Sequence, residues 1–237
     1  MKRYRREDEV SYCLGITLTF ELLKYAKEYA RKVYVHSSIN KNESFEKLED
    51  MCREFKIPME YSDKPFNILS QKENCYVIGE FKKFNRPVDK NKSHVVLHNP
   101  SNAGNMGTIM RSAAGFGITD LAIITPAVDE FDPKTIRASM GAVFHLNIEK
   151  FSSFTEYKEK CGSRELYPFM LKAKIKLHDI SPKAPYSLIF GNEATGLPDE
   201  FLSEGTSVII PHSGRIDSLN LPIAASIALY EATKQDF

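Results

Sequence analysis

A chain of 237 residues is long enough for one large domain or two small ones, and its apolar fraction of 42% can supply a hydrophobic core. No apolar run approaches the ~18 residues that a membrane helix needs, which argues against a membrane-spanning protein. The net charge of +1 conceals an asymmetry, because residues 1–92 carry 19 basic and 15 acidic side chains whereas residues 93–237 carry 13 and 16. The first part is therefore the expected place for a nucleic-acid backbone, unless its charge only forms a solvated surface.

The N-terminus, the cysteines and the histidines bear on compartment and metal binding. Residues 1–6 are basic, but residues 7–9 are acidic where a signal peptide has its apolar segment, which predicts a cytoplasmic protein. The four cysteines are scattered without metal-type pairing, which favours reduced thiols. The six histidines show no pair at ligand spacing, so we expect no metal site.

Short elements alternate along the first part of the chain and predict a small α/β unit. They are an amphipathic helix after a turn at Gly15, a strand at Val33–Val35, a helix over Phe45–Phe55, an extended piece at Ile57–Tyr61, a helical turn over Phe66–Ser70 and a strand at Cys75–Gly79. Residues 83–93 are charged and turn-forming without periodicity, as in an interdomain linker. The predicted organisation is therefore a first domain over 1–82, a linker over 83–93 and a second domain over 94–237.

The alternation of strands and helices resumes after the linker. Strands are predicted at Val95–Leu97, Leu121–Ile124, His145–Ile148, Tyr167–Leu171, Ser187–Phe190 and Val208–Ile210. Helices are predicted over Met106–Phe116, Pro133–Val143, Phe154–Lys160, Asp199–Leu202 and the alanine-rich segment that follows an N-cap at Asn220. Strands that alternate with helices in this way predict a mostly parallel sheet covered on both faces.

Three loops that follow strands have unusual compositions, and open α/β sheets bind ligands at this end of their strands. Residues 99–107 are rich in asparagine and glycine and lead into a helix that carries Arg111, which is either a fixed cation over the loop or a surface ion-pair partner. Residues 191–196 have a glycine at each end and contain Glu193, either a ligand contact or a helix N-terminal carboxylate. The loop over residues 210–220 offers small or amide-bearing residues at Ser213, Gly214, Ser218 and Asn220, and His212 is expected to face solvent.

Other nucleotide-binding and hydrolytic signatures do not fit. Gly104, Gly107 and Gly115 do not have the spacing of a dinucleotide fingerprint, and the sequence contains no Walker loop. No combination of serine, histidine and aspartate points to hydrolysis.

In this order, the three loops resemble the three motifs of the SpoU/TrmH family of RNA 2′-O-ribose methyltransferases, part of the SPOUT class. The matching residues run from Asn99 to Ala113, from Gly191 to Leu197 and from Ile210 to Ala224. One departure is His212, which stands where the family most often has methionine. The likeness extends from Val95 to Lys234, and three motifs in register are far more specific than any one of them.

The resemblance implies a fold that periodicity could not reveal. Residues 94–237 would form a SPOUT α/β trefoil-knot domain, with a parallel sheet and helices on both faces, in which the C-terminal segment threads through a loop. The family also implies a homodimer with its sites near the subunit interface. The first domain resembles, more weakly, a small α/β RNA substrate-binding domain similar to a ribosomal protein, and Gly15, Ile57-Pro58 and Cys75–Gly79 carry that likeness.

The resemblance further implies S-adenosylmethionine as the cofactor, held in a bent form by backbone groups of the second and third motifs. The cofactor-binding positions that it implies are Phe190, Gly191, Asn192, Gly196, Ile210, Pro211 and Leu219. The positions that match the family's catalytic centre are Asn105, Arg111, Glu193, Ser218 and Asn220. Arg111 would pair with an RNA phosphate and stabilise the developing alkoxide. Asn105, Ser218 and Asn220 would orient the ribose and hold the loop, and Glu193 would fix the second loop or Arg111.

The predicted reaction is methyl transfer from S-adenosylmethionine to a ribose 2′-hydroxyl of RNA. Ribosomal RNA is favoured over tRNA, because the extra N-terminal domain resembles those of ribosomal RNA enzymes. The alternatives are a tRNA 2′-O-methyltransferase, a base-methylating knotted enzyme, a catalytically silent RNA-binding protein and an α/β enzyme that uses a different nucleotide.

Overall fold

The computed structural model describes residues 3–69 and 74–237, and the chain divides into two compact units. The first unit combines Met1–Phe84 with Asp129–His145, and the second combines Asn85–Val128 with Leu146–Phe237. A segment from the middle of the sequence therefore belongs to the first unit. Among the described residues, no helix is long and apolar enough to cross a membrane.

Strands and helices alternate along both units. The strands are β1 (Val10–Leu14), β2 (Ala30–Val35), β3 (Met59–Tyr61), β4 (Val77–Lys82), β5 (His94–His98), β6 (Asp120–Ile124), β7 (Asn147–Phe151), β8 (Glu165–Pro168), β9 (Ile175–Lys176), β10 (Tyr186–Phe190) and β11 (Val208–Ile209). The α-helices are α1 (Ile16–Tyr25), α2 (Glu43–Glu54), α3 (Lys64–Leu69), α4 (Ala103–Gly115), α5 (Pro133–Ala138), α6 (Phe154–Cys161) and α7 (Leu221–Thr233).

The first unit is built on a four-stranded sheet in the order β1-β4-β2-β3. Strand β4 runs antiparallel to β1 and β2, whereas β2 and β3 are parallel. Helix α2 packs its buried face, with Phe45, Leu48 and Cys52, in one apolar cluster with Val33 of β2. Helix α5, from the inserted segment, belongs to this unit as well.

The second unit contains a five-stranded sheet, in the order β7-β6-β5-β10-β8, in which every pairing is parallel. All five residues of β6 and of β10 are buried, as expected for central strands covered on both faces. The predicted α/β fold with a parallel sheet is therefore confirmed. Strands β9 and β11 form a separate parallel pair.

Several predicted elements differ from those observed. Strand β1 was not predicted, and the strand expected at His145–Ile148 lies at residues 147–151. The helix expected over Pro133–Val143 ends at residue 138, because Met140 and Gly141 both have positive φ, and a 3₁₀ turn follows. The helix near Asp199 is also 3₁₀. Helix α3 accounts for the turn predicted over Phe66–Ser70, of which Ser70 lies outside the described residues.

A buried polar network holds the start of β5. The ring of His94 is fully buried, with Nε2 2.8 Å from the carbonyl oxygen of Asp89 and Nδ1 2.9 Å from the hydroxyl of Tyr157. Because a carbonyl only accepts, Nε2 carries the proton and Nδ1 accepts from Tyr157. That hydroxyl also lies 2.6 Å from Ser187 Oγ and accepts from Arg164 at 3.0 Å. Burial lowers the pKa of His94 to about 4.

This low pKa predicts acid sensitivity that originates at His94. The folded state holds the ring neutral while the unfolded chain protonates near pH 6.5, so stability present above that pH is lost as the pH falls toward 4. We expect the difference in unfolding free energy between the native chain and His94→Gln to shrink by about 2 to 3 kcal/mol from pH 7 to pH 4. Urea titrations at several pH values measure it, and a difference independent of pH would contradict this origin.

Candidate functional site

The loop after β10 closes on itself through its backbone. The N–H of Asn192 donates to the carbonyl of Gly196 at 3.2 Å, and the N–H of Gly196 donates back to the carbonyl of Asn192 at 2.9 Å. Gly196 has a φ of +69°, a conformation that favours glycine. A Cβ on Gly191 would lie 2.1 Å from the carbonyl carbon of Gly196, so this close approach requires a residue without a side chain.

The carboxylate of Glu193 joins this loop to the loop after β5. It accepts hydrogen bonds from the backbone N–H and the hydroxyl of Ser101, at 3.1 and 2.7 Å, and from the backbone N–H of Asn102 at 3.1 Å. The side-chain amide of Asn105 donates a fourth bond at 3.2 Å. Burial alone would raise the pKa of Glu193, but the hydrogen bonds from Ser101 and Asn105 lower it below its usual value. Glu193 is thus a charged connector between two loops.

The start of α4 is held by asparagines. Asn102 is the N-cap residue, and its side chain accepts from the N–H of Asn105 at 3.0 Å. The side-chain amide of Asn192 donates to the carbonyl of Asn99 at 2.8 Å, where Asn99 takes a positive φ of 53°. The asparagines of the first two motifs therefore serve mainly to shape the loops.

Arg111 lies exposed on α4. Within the part of the chain that the structure describes, its guanidinium forms no hydrogen bond and no salt bridge, so the ion pair considered as an alternative is not found. A guanidinium carries a positive charge, which leaves an uncompensated cation on this helix.

The second and third loops face a common pocket of about 330 Å³ beyond the end of β10. The predicted site residues that line it are Phe190, Gly191, Asn192, Glu193, Gly196, Ile210, Ser218 and Leu219. Asn105, Arg111, Pro211 and Asn220 are not among the lining residues. His212, expected to face solvent, is half-buried and does line the pocket.

One wall of the pocket was not predicted from sequence. Residues 169–172, which follow β8, line it together with Asp199. The available signal was positional: β8 is a parallel strand beside β10, so its following loop lies at the same edge of the sheet.

Helix α7 begins next to the pocket. Asn220 is its N-cap residue, as predicted, but its side chain makes no capping hydrogen bond. A hydrogen bond of 2.7 Å between the hydroxyls of Ser112 and Ser226 joins α4 to α7. Among the described residues, no cluster of three or more histidine, cysteine or acidic side chains could hold a metal ion.

Residues 92–230 match the model of the SpoU rRNA Methylase family. The chain belongs to this SpoU family. A 23S rRNA (uridine(2479)-2′-O)-methyltransferase of Streptomyces viridochromogenes is 33% identical over 158 residues, which cover 63% of this chain and 55% of that relative. The chain thus spans about half the length of this curated SpoU relative.

Two solved structures extend the comparison. The AdoMet-bound rRNA methyltransferase from Sinorhizobium meliloti matches with a TM-score of 0.80 and 25% identity, over 97% of this chain and 88% of that one. A structure described as giving insight into 2-OH methylation of C/U34 on tRNA matches with a TM-score of 0.56 and 30% identity, over 62% of this chain and 97% of that one. The SpoU fold is therefore confirmed; the knot implied by the resemblance stays a prediction.

The close approach at Gly191 predicts a steric penalty for any side chain. Because the obstacle is backbone at 2.1 Å, we expect Gly191→Ala to lower the unfolding free energy by about 1–3 kcal/mol. Gly115→Ala is the matched control, since a Cβ there meets no atom within 4 Å. Urea denaturation of both variants measures the effect, and equal stability of the two would show that the loop can relax around the added methyl group.

Proposed function

We propose that this chain transfers a methyl group from S-adenosylmethionine to a ribose 2′-hydroxyl of RNA. Its membership of the SpoU family supports the proposal, as do the names of the relatives that match it. The observation that carries it is the pocket at the carboxyl edge of the parallel sheet, which residues of the second and third motifs line together.

The residues around the pocket suit this cofactor. A volume of about 330 Å³ falls within the ~300–1,000 Å³ typical of small-molecule sites. Phe190 and Leu219 offer apolar surface for an adenine ring, while Gly191 and Ile210 bring backbone polar groups to the wall. S-adenosylmethionine, when bound, supplies a methyl group on a sulfonium that an oxygen nucleophile can attack.

Arg111 acts as an electrostatic group in this proposal, because a guanidinium offers donors and a positive charge but no acceptor for a proton. Its unpaired guanidinium binds a phosphate of the RNA and stabilises the negative charge that develops on the 2′-oxygen. The proton of the hydroxyl leaves to phosphate or water. Holding the hydroxyl in line with the methyl group supplies much of the acceleration, on the order of 7–11 kcal/mol for well-oriented reactants.

The other predicted catalytic residues position the reactants. Glu193 is already saturated with hydrogen bonds and has a lowered pKa, so its role is to hold the first and second motifs together. Ser218 lines the pocket, and the side chain of Asn220 makes no capping hydrogen bond to α7. Both are therefore available to orient the ribose.

Ribosomal RNA is the proposed target, and the first unit is its proposed binding domain. The tRNA-related structure matches 62% of this chain over 97% of its own length, whereas the rRNA methyltransferase structure matches 97% of this chain. The first unit therefore has its counterpart in the rRNA methyltransferase structure. A tRNA target is the second candidate, because that neighbour has the higher identity of the two structures. Action in the cytoplasm remains part of this proposal.

A homodimer is the proposed assembly. Ile223, Ile227 and Tyr230 recur at helical spacing on α7 and are 53%, 38% and 58% exposed. Ala225 and Ala228, on the opposite side, are fully buried within the chain. A second copy would remove this apolar stripe from water, next to the pocket.

The role of Arg111 predicts a separation of binding from catalysis. Arg111→Ala should bind S-adenosylhomocysteine normally, but its turnover should fall about 10²- to 10³-fold, as when one charge-stabilising donor is removed. Arg111→Lys keeps the positive charge but lacks the planar guanidinium. Its turnover should therefore lie between that of Arg111→Ala and that of the unaltered chain. Calorimetry and single-turnover methyl transfer measure these quantities; near-normal turnover by Arg111→Ala would remove this residue from the mechanism.

The apolar stripe predicts how the dimer can be broken. Ile227→Glu should yield monomers, because it places a charge at the centre of the buried surface. Gln235→Glu adds the same charge beyond the end of α7 and should leave the dimer intact. Sedimentation velocity distinguishes the outcomes, and a dimeric Ile227→Glu variant would place the interface elsewhere.

A further inference from the structure

An ion pair lines the pocket outside the three motifs. Lys172 follows β8 and Asp199 begins a 3₁₀ turn, and both residues line the pocket. The ammonium nitrogen of Lys172 lies 2.7 Å from each carboxylate oxygen of Asp199. Both side chains are about two-thirds exposed, at 66% and 68%. The pair therefore lies at the rim, where a ligand in the pocket can reach it.

Two other titratable side chains that line the pocket, Glu193 and His212, already have hydrogen-bond partners within the chain. The carboxylate of Glu193 accepts bonds from Ser101, Asn102 and Asn105 and has no need of a further partner. The ring nitrogen Nδ1 of His212 accepts from the N–H of Gly214 at 3.3 Å.

The ion pair differs from these groups because it can be exchanged. An exposed ion pair stabilises a protein little, since water solvates both charges well when they separate. A ligand that brings one positive and one negative group can therefore replace the internal pair by two intermolecular pairs at small cost. A ligand with only one charge would leave one of the two side chains without a partner.

We propose that Lys172 and Asp199 form the subsite for the amino-acid end of the methyl donor. Lys172 binds the α-carboxylate and Asp199 binds the α-ammonium, while the adenosine lies against the apolar part of the pocket. This inference rests on the proposed function, and it assigns recognition of the zwitterion to two residues that belong to none of the three motifs.

Two ligands that differ only in the amino-acid end test the subsite. S-adenosylhomocysteine has the zwitterion, and 5′-methylthioadenosine has the same adenosine and sulfur without it. Lys172→Ala and Asp199→Asn should each weaken binding of S-adenosylhomocysteine about 5- to 20-fold, as expected for a partly exposed charge-assisted contact. Binding of 5′-methylthioadenosine should change by less than about twofold, because neither side chain meets the adenosine. Isothermal titration calorimetry measures both affinities.

Neighbouring charges serve as matched controls. Lys174→Ala and Glu200→Gln remove the same kinds of charge from exposed positions that do not line the pocket, and both should leave the two affinities unchanged. Equal weakening of both ligands by Lys172→Ala, or no weakening of either, would overturn the subsite. A gain in affinity for both ligands would show that the pair only covers the pocket, and this also overturns it. If the unaltered protein bound neither ligand, the proposed function itself would fail.

Discussion

The arrangement of the site depends on the hydrogen bonds that the carboxylate of Glu193 accepts. This carboxylate receives hydrogen bonds from a loop about 90 residues earlier in the chain, since Ser101 lies 92 positions away. Those bonds hold the loop that starts α4, the helix that carries Arg111, against the loop that lines the pocket. A carboxylate with this many donors is more stable charged than protonated, so the connection persists at neutral pH. The proposed catalytic cation and the proposed cofactor pocket are thus positioned through a residue that needs no chemical role of its own.

The parallel sheet makes this connection possible. Strands β5, β10 and β8 are neighbours, so the loops that follow them emerge at the same edge although they are far apart in sequence. Each loop is then shaped by its own backbone requirements, such as the positive φ of Asn99 and the close approach at Gly191. The motifs record these local requirements together with the groups that face the ligand.

Much of the second unit could be predicted from its sequence. Buried strands such as β6 and β10 are short apolar runs in the sequence. The glycines and asparagines of the motifs mark the loops that follow the strands. The wall formed by residues 169–172 and Asp199 could be predicted only from the strand order, because the lysine and the aspartate at these surface positions carry no signal in their residue types. The place of residues 129–145 in the first unit could not be predicted, because it depends on contacts distant in sequence. The predicted helix over Pro133–Val143 ends early, at Ala138, for a local reason. Two consecutive residues, Met140 and Gly141, have positive φ.

The central claim is that this SpoU family member methylates a ribose hydroxyl of ribosomal RNA. The most direct measurement maps 2′-O-methyl groups and methylated bases in total RNA from cells with and without the chain, by nuclease digestion and mass analysis. We expect the loss of a ribose methylation in ribosomal RNA with all base methylations retained. An unchanged set of ribose methylations, or the loss of a base methylation instead, would contradict it.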